Sequence, residues 1–395
     1  MSNDAIAISF IGSFSGPYGA IITPMFEEGF LTWVEDVNAR GGIHNRKVVV
    51  KRVDHAETVE GGIAACKQAV SNGTFMAVIG EGTGEGNDSA ANCLDKAGFL
   101  NFGWLSNPNP AWRSSFSIVA SSSDFGTSLP SVIENMAGDK GKKVGLIAST
   151  PLAFAVMKDA YLKEAKARGL NIVGVEKIEP TQTSFAPQLL RLRDAGAQHV
   201  TILSGIESVG VLRDAAALNY RPKWTGGGWI YDIETQAARD TAKGVLGLKM
   251  TTTVDTPAFA AFMAKKRQRG IDRPQSADGE ALLFYGEGLV MEEVLRRAGP
   301  MPTTTTLRAG MESMKGFETA IFPPITWGPG NVLGTHASWP VVCCNADWTW
   351  KSMGPPQERF TAATPQASGS GAGAPASAAS RPAVVRRPHR MLPVR

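Results

Sequence analysis

This chain lacks clustered metal ligands, long apolar runs and any concentration of charge of one sign. Its four cysteines, Cys66, Cys93, Cys343 and Cys344, show no C-x-x-C spacing, and its five histidines form no H-E-x-x-H or i,i+4 pair. A zinc site, structural or catalytic, is therefore not expected. No stretch comes near the ~20 uninterrupted apolar residues that crossing a bilayer requires. The opening Met1-Ser2-Asn3-Asp4 has no basic segment leading into an apolar one, so either a leader has been removed or the chain stays in the cytoplasm. The formal net charge of +4 comes partly from Arg381, Arg386, Arg387, Arg390 and Arg395, which leaves the remainder near neutral. That offers no basic face to a nucleic-acid backbone, and no nucleic-acid partner is expected.

What is there is length and alternation. A chain of 395 residues can form two domains, each burying its own core. Residues 5–11 are an apolar run closed by Gly12, as in a strand buried on both faces of a parallel sheet. A helix is expected next, with Thr23 as cap, Pro24 at the first helical position and Glu27 and Glu28 at the positive dipole end. Phe26, Phe30, Trp33, Val34 and Val37 recur at helical spacing before Gly41-Gly42 stops it. Strands follow at 47–53, 75–79 and 99–104, with helices at 58–70 and 87–97. After Ser121-Ser122-Ser123-Asp124 the alternation starts afresh, with strands at 144–148, 171–175, 199–203 and 223–225 and helices near 153–167, 184–195 and 208–218. Such alternation demands parallel pairing with helices on both faces. From Pro257 the pattern is helical, over 259–269, 280–297 and 304–314, and strand-like runs at 325–327 and 338–343 are separated by the turn Gly328-Pro329-Gly330-Asn331. From about Thr361 the composition is Ala, Ser, Gly and Pro without periodicity, which cannot offset ordering entropy, and the tail is expected to be disordered.

In an open parallel sheet, ligands bind at the carboxyl ends of the strands, which singles out loops 12–18, 80–87, 104–109 and 226–232. The run from Gly80 to Asn87 has the glycines of a phosphate cradle but not the Lys-Ser/Thr ending, and Glu81 and Glu85 would repel phosphate. The first turn, Gly12-Ser13-Phe14-Ser15-Gly16, is not G-x-G-x-x-G, so no nucleotide cofactor is expected. Ser13, Ser15, Ser106 and Ser204 lie outside any nucleophile-elbow or triad context. Glu81, Glu85, Glu207 and Asp232 read as solvated loop carboxylates rather than an acid–base pair, and catalysis is not expected. The loops offer instead Ser15, Tyr18, Thr83, Trp104, Ser106, Asn107, Trp229 and Tyr231. That is a binding inventory, apolar and aromatic with a few directed hydrogen bonds. Cys66 and Cys93 fall on successive helices and read either as a disulfide or as two small buried apolar residues.

Ile11-Gly12-Ser13-Phe14-Ser15-Gly16-Pro17, with Val37-Asn38-Ala39-Arg40-Gly41-Gly42-Ile43-His44-Asn45-Arg46-Lys47, resembles the opening of the leucine/isoleucine/valine-binding protein family of periplasmic receptors. Ala77-Val78-Ile79-Gly80 with Ala97-Gly98-Phe99-Leu100 is similar to the segment that follows there, and Phe322-Pro323-Pro324-Ile325-Thr326-Trp327-Gly328-Pro329 to a late one. The resemblance implies an α/β chain with the type I periplasmic-binding-protein fold, two doubly wound parallel-sheet lobes joined by a three-segment hinge. By that pattern the first lobe is 1–122 plus 253–327, the second 123–252 plus 328–360, and the tail 361–395. It implies a non-catalytic, periplasmic or cell-surface component of an ABC-type importer, which closes over a small-molecule ligand without a cofactor and presents it to a membrane permease. The alternative is a cytoplasmic sensor of the same fold, similar to the amide-sensing regulators, that signals to a protein partner.

Carried over by position, the loop that holds the ligand carboxylate in relatives falls on Thr83, Gly84 and Glu85 and on Leu105, Ser106 and Asn107. The second lobe would contribute an aromatic at Phe154, a residue at Gly205 or Ile206, and an acid for the ligand ammonium that falls on Gly228. An ammonium buried without a counter-charge costs on the order of several kcal/mol. The resemblance therefore points away from a plain α-amino acid, unless Asp232 or Glu85 supplies the charge. Gly84 weakens the carboxylate cradle, and Tyr18, Trp104, Phe154 and Trp229 suggest a flatter solute, an aromatic or alicyclic acid or an amide.

Overall fold

The computed structural model describes residues 5–358, apart from 17, 83, 227–234, 236 and 272–274, and leaves the side chains of 275–278 undescribed. The opening apolar run becomes β1 (Ala5–Gly12), which pairs in parallel with β2 (Lys47–Asp54) on one side and β3 (Ala77–Ile79) on the other. β4 (Asn101–Gly103) and β5 (Ser115–Ser117) complete a five-stranded parallel sheet in the order β2-β1-β3-β4-β5. Both faces of β1 are covered, which is why it shows no polar alternation. Phe10 sits 4.7, 4.6 and 5.7 Å, centroid to centroid, from Phe26, Phe30 and Phe284.

The second sheet is built from β6 (Lys143–Ser149), β7 (Asn171–Ile178), β8 (His199–Leu203), β9 (Lys223–Gly226) and β10 (Leu246–Lys249), all paired in parallel. β11 (Trp339–Cys343) and β12 (Trp350–Ser352) add an antiparallel edge, giving the order β12-β11-β10-β9-β8-β6-β7. The chain passes between the sheets three times, at 118–121, 250–256 and 334–338. The first crossing ends in a capping box, Ser121 with Asp124, that starts the Ser122–Ser131 helix. The second ends at Thr256, whose side chain accepts the Phe259 N–H and so starts the Pro257–Gln268 helix. Before the third, Leu333 bridges to Ser117 and the Trp327 indole donates to the Ser117 carbonyl at 2.9 Å.

The first helix differs from the sequence expectation. It begins at Gly19, with Tyr18 rather than Thr23 at the cap, so Pro24 lies inside it. Pro24 cannot donate to Ala20, which is exposed to solvent, and the ladder re-registers in a π-helical segment, Phe26–Phe30, before resuming as Leu31–Ala39. β5, β10 and β12 are short and went unread, while 325–327 forms a single bridge, Phe317 to Ile325, rather than a strand. The turn at Gly328 to Asn331 is present, closed by hydrogen bonds in both directions. Cys66 and Cys93 are joined, tying the Val59–Ser71 helix to the Glu85–Lys96 helix across a Cα separation of 6.0 Å.

Candidate functional site in the crevice between the sheets

The loops that leave β3 and β6 meet each other. Gly84, the residue before the Glu85–Lys96 helix, adopts φ +111°, a conformation that side chains rarely take. A Cβ built on it would stand 2.4 Å from Ser106 Oγ and 3.3 Å from the Ala153 nitrogen. One residue on, Glu85 Oε1 accepts the Leu152 backbone N–H at 2.7 Å. Leu152 opens the Leu152–Arg168 helix, whose preceding residue, Pro151, offers no side-chain cap. Glu85, Asp88, Asn92, Asn107, Trp112 and Leu152 line the open mouth of this crevice, a cleft of about 840 Å³.

Around the Gly84 loop the first sheet gathers buried polar atoms that have no hydrogen-bond partner among the described residues: His55 Nε2, Asn87 Oδ1, Ser106 Oγ and Ser122 Oγ. Each is held in place by its other contacts. Asn87 Nδ2 donates to the carbonyls of Gly80 at 2.7 Å and Trp104 at 3.1 Å, tying β3 to β4. His55 Nδ1 accepts the Glu57 N–H at 3.0 Å. Asp88 accepts the Ser106 and Asn107 N–H groups at 3.0 and 3.1 Å and so shapes the loop after β4. Burial pushes the Asp88 carboxyl up to about 7; those two donors oppose the rise and nearby Glu85 adds to it. Asp54 goes the other way. Burial would raise it, but the Ser15 hydroxyl and the N–H groups of Ala56 and Phe14 hold it below the usual carboxylate range.

The second sheet supplies the facing wall. Phe154 is buried on the first turn of its helix, and Gly205 is buried between β8 and the Glu207–Ala217 helix. Glu207 Oε1 accepts the Ser149 hydroxyl at 3.2 Å, and burial raises the carboxyl above its ordinary value. Glu207 and Ile206 also border a smaller pocket of about 310 Å³.

The structure therefore brings together Gly84, Glu85 and Ser106 with Phe154's helix. Asn107 lies exposed at the mouth, and Ser15 is exposed with its hydroxyl turned to Asp54. Tyr18 is half-buried against the main core, and Trp104 and Leu105 are buried within it. Thr83, Gly228, Trp229, Tyr231 and Asp232 lie outside the described residues. Two carboxylates expected to be solvated are not: Glu81 is 1% and Glu207 5% exposed, the first just after the buried strand β3 and the second opening the helix that follows the buried strand β8. Sequence reasoning also passed over His55, which directly follows β2 and could have been found by the same rule that flagged the other strand ends. Among the described residues, no group of three or more His, Cys, Asp or Glu side chains could hold a metal ion, and no helix is long and apolar enough to cross a membrane.

A family model described as periplasmic binding protein matches residues 5–345. The chain is 24% identical over 352 residues to the Leu/Ile/Val-binding protein homolog 3 of Brucella melitensis, covering 83% of this chain and 93% of that protein. Among solved structures it is similar to a branched-chain amino acid ABC transporter protein from Thermus thermophilus with bound valine, at 18% identity and a TM-score of 0.77, covering 90% of this chain and 97% of that one. It is similar also to a solute-binding protein of an ABC transporter from Rhodopseudomonas palustris in complex with 3,4-dihydroxybenzoic acid, at 16% identity and a TM-score of 0.75, covering 92% and 99%.

Proposed function

The chain belongs to the periplasmic binding protein family, and from that membership we propose that it is the substrate-binding component of an ATP-driven importer, closing over an aromatic or alicyclic acid or an amide. The observation that carries this reading is the meeting of Gly84 and Glu85 with Leu152 and Ala153, beside the buried Ser106 Oγ, which has no hydrogen-bond partner among the described residues. A crevice closed by contacts between two sheets, with polar atoms left over inside it, is the geometry of a receptor that engulfs its ligand by hinge motion. The lobes are 1–122 plus 253–327 and 123–252 plus 328–360, with 361–395 as a tail. The ligand contacts are Thr83, Gly84, Ser106, Asn107, Phe154, Gly205, Ile206, Trp229 and Asp232, with Tyr18, Trp104 and Leu105 against the first-sheet core, Ser15 exposed beside Asp54 and Glu85 at the closure contact.

The choice of ligand class rests on the absence of an acid at 228 and on the aromatic side chains Tyr18, Phe154 and Trp229, and it supposes that neither Asp232, outside the described residues, nor the buried Glu207 meets a ligand ammonium. Glycine stands at 228, and Glu85, which could have met a ligand ammonium, hydrogen-bonds the start of a helix instead. The Cys66–Cys93 disulfide favours an oxidising, extracytoplasmic compartment, and the partner is a membrane permease that recognises the closed form. A thermal-shift screen against leucine, valine, benzoate-type acids, alicyclic acids and amides tests the reading. Ligand at ~100 times its Kd stabilises the folded state by roughly 2.7 kcal/mol. A shift with an aromatic or alicyclic acid or an amide, and recovery of that compound unchanged, supports it; a shift with leucine or valine alone overturns the ligand class.

A further inference from the structure

We propose that Glu207 accepts a hydrogen bond from an N–H or O–H group on the ligand, seated in the space that Gly205 leaves beside the Phe154 ring. The inference rests on the reading of the crevice as a ligand site and names a group that the ligand must carry.

Gly205 is buried, yet nothing among the described residues requires glycine there. Its backbone is outside the left-handed region, unlike that of Gly84. Among the described residues, a Cβ on it would meet only Glu207 Oε2 and Phe154 Cζ, both at 3.8 Å, which is ordinary van der Waals contact. Gly210, one turn further along, shows the contrast: a Cβ there would stand 2.4 Å from the Phe185 ring. Glycine at 210 is explained by packing. Glycine at 205 opens room bordered by a carboxylate oxygen on one side and an aromatic ring on the other.

That oxygen makes no close hydrogen bond among the described residues, although the backbone N–H groups of Gly205 and Glu207 lie near the carboxylate. Glu207 is 5% exposed; Ser149 donates to Oε1, while Oε2 has no hydrogen-bond partner among the described residues. The Ser149 contact fixes the carboxyl plane, so Oε2 is oriented before a ligand arrives. An unpaired buried acceptor carries a desolvation penalty that a ligand donor relieves, so a site of this kind discriminates strongly against analogues that lack the donor. The Phe154 ring favours a flat, apolar body behind the donor group. Ser106 Oγ, on the first-sheet wall, suits the polar group at the other end of such a ligand. An aromatic acid or amide bearing a hydroxyl, amino or amide donor fits both walls.

Calorimetric titration of wild type, Glu207→Gln, Gly205→Ala and Gly205→Val with benzoate, 4-hydroxybenzoate, 4-aminobenzoate and benzamide tests this, after thermal melts establish that each variant folds. The donor-bearing compounds are expected to bind wild type at least tenfold tighter than benzoate. Comparing hydroxyl, amino and amide members identifies which donor the site takes. Gly205→Val should erase the advantage by filling the space, Glu207→Gln should reduce it, and benzoate itself should change less than threefold. Gly205→Ala, whose Cβ makes only ordinary contacts, should fold and lose part of the advantage even if the valine variant does not fold. A donor advantage retained in Glu207→Gln and Gly205→Ala alike overturns the inference and leaves the ligand class standing. No binding of any of the four compounds to wild type overturns the inference and leaves the ligand class to the thermal-shift screen.

Discussion

Glu85 Oε1 accepts the Leu152 N–H at 2.7 Å, so a carboxylate carried by the first sheet caps a helix carried by the second. Helix N-termini expose unpaired N–H groups and a positive dipole end, and an acidic acceptor there is favourable. Under the proposed hinge motion the two sheets separate and this contact breaks, so it belongs to the closed form. Glu85 is thereby a positioning residue for closure.

Replacing Glu85 by alanine should shift the protein toward an open form. Loss of a helix cap costs about 1 kcal/mol, which is roughly a fivefold change in the closed-to-open ratio. Glu85→Gln, which keeps an acceptor but loses the charge, should fall between. Fluorescence transfer between dyes placed on the two sheets, with and without ligand, reads the shift. An unaltered distance distribution in Glu85→Ala would mean that the capping contact contributes nothing to closure.

Gly84→Ala should be more damaging than a glycine substitution at an equally unusual backbone position in open space. Strain in a sparsely populated conformation costs on the order of 1–3 kcal/mol. At Gly98, with φ +66° and nothing within 4 Å, that strain is the whole cost. At Gly84 the new methyl would in addition press on Ser106 Oγ at 2.4 Å and the Ala153 nitrogen at 3.3 Å. The expected result is a lower melting temperature than Gly98→Ala, together with weaker ligand binding. Equal melting temperatures and unimpaired binding would show that the two loops do not press together at this point.

Among the strands that sequence made visible, β1 and β8 are buried on both faces and mainly apolar, while β2 and β7 were legible from their β-branched residues although they are largely exposed or half-buried. β5, with three residues of which two are serine, carries no apolar run, and β10, Leu-Gly-Leu-Lys, is too short to separate from a loop. The crevice loops were legible because strand ends in a parallel sheet all point one way. The closure contact was not. Glu85 and Leu152 are 67 residues apart, and no local pattern says that a glutamate's acceptor role is to be filled across a cleft rather than by a ligand. Glu207 was misjudged for a related reason: its charge argued for solvent, while the buried β8 before it and Ser149 beside it decided otherwise.

Breaking the Cys66–Cys93 bridge should destabilise the first-sheet side specifically. Gly62 lets the two bridged helices approach closely, since a Cβ on it would stand 2.0 Å from Ser89 Oγ and 2.4 Å from the Gly86 carbonyl oxygen. A cross-link between residues 27 apart contributes about 3–4 kcal/mol by limiting the unfolded chain. Urea unfolding of the Cys66→Ala, Cys93→Ala double variant should show a lower midpoint, most marked for probes near the Glu85–Lys96 helix. An unchanged midpoint would mean that helix packing alone sets the stability there.

Stability should fall as pH rises through neutrality, and Asp88 is one reason. Its folded-state pKa, about 7, lies above the unfolded value near 3.8, so the folded protein holds a proton that the unfolded chain has released between those limits. The stabilisation from that proton is full below the lower limit and lost as pH passes the upper one. Glu287 acts in the same direction: burial raises its carboxyl well above the usual range, the charge of Glu81 adds to the rise, and neither oxygen has a hydrogen-bond partner among the described residues. Other acids oppose this at low pH. Against the effect of burial, His336 and Ser121 hold Asp124 down, and Arg40, Arg296 and Trp33 do so for Glu292, so their stabilisation disappears on acidification. The two trends together place maximal stability on the mildly acidic side. Asp88→Asn keeps an acceptor for one of the Ser106 and Asn107 N–H groups while removing the titrating group, and Glu287→Gln removes a second titrating group without changing shape. Urea unfolding at pH 5, 6, 7 and 8 should show each substitution flattening the decline above pH 5, with the double variant flattest. A wild-type decline that survives in the double variant would assign it to other groups.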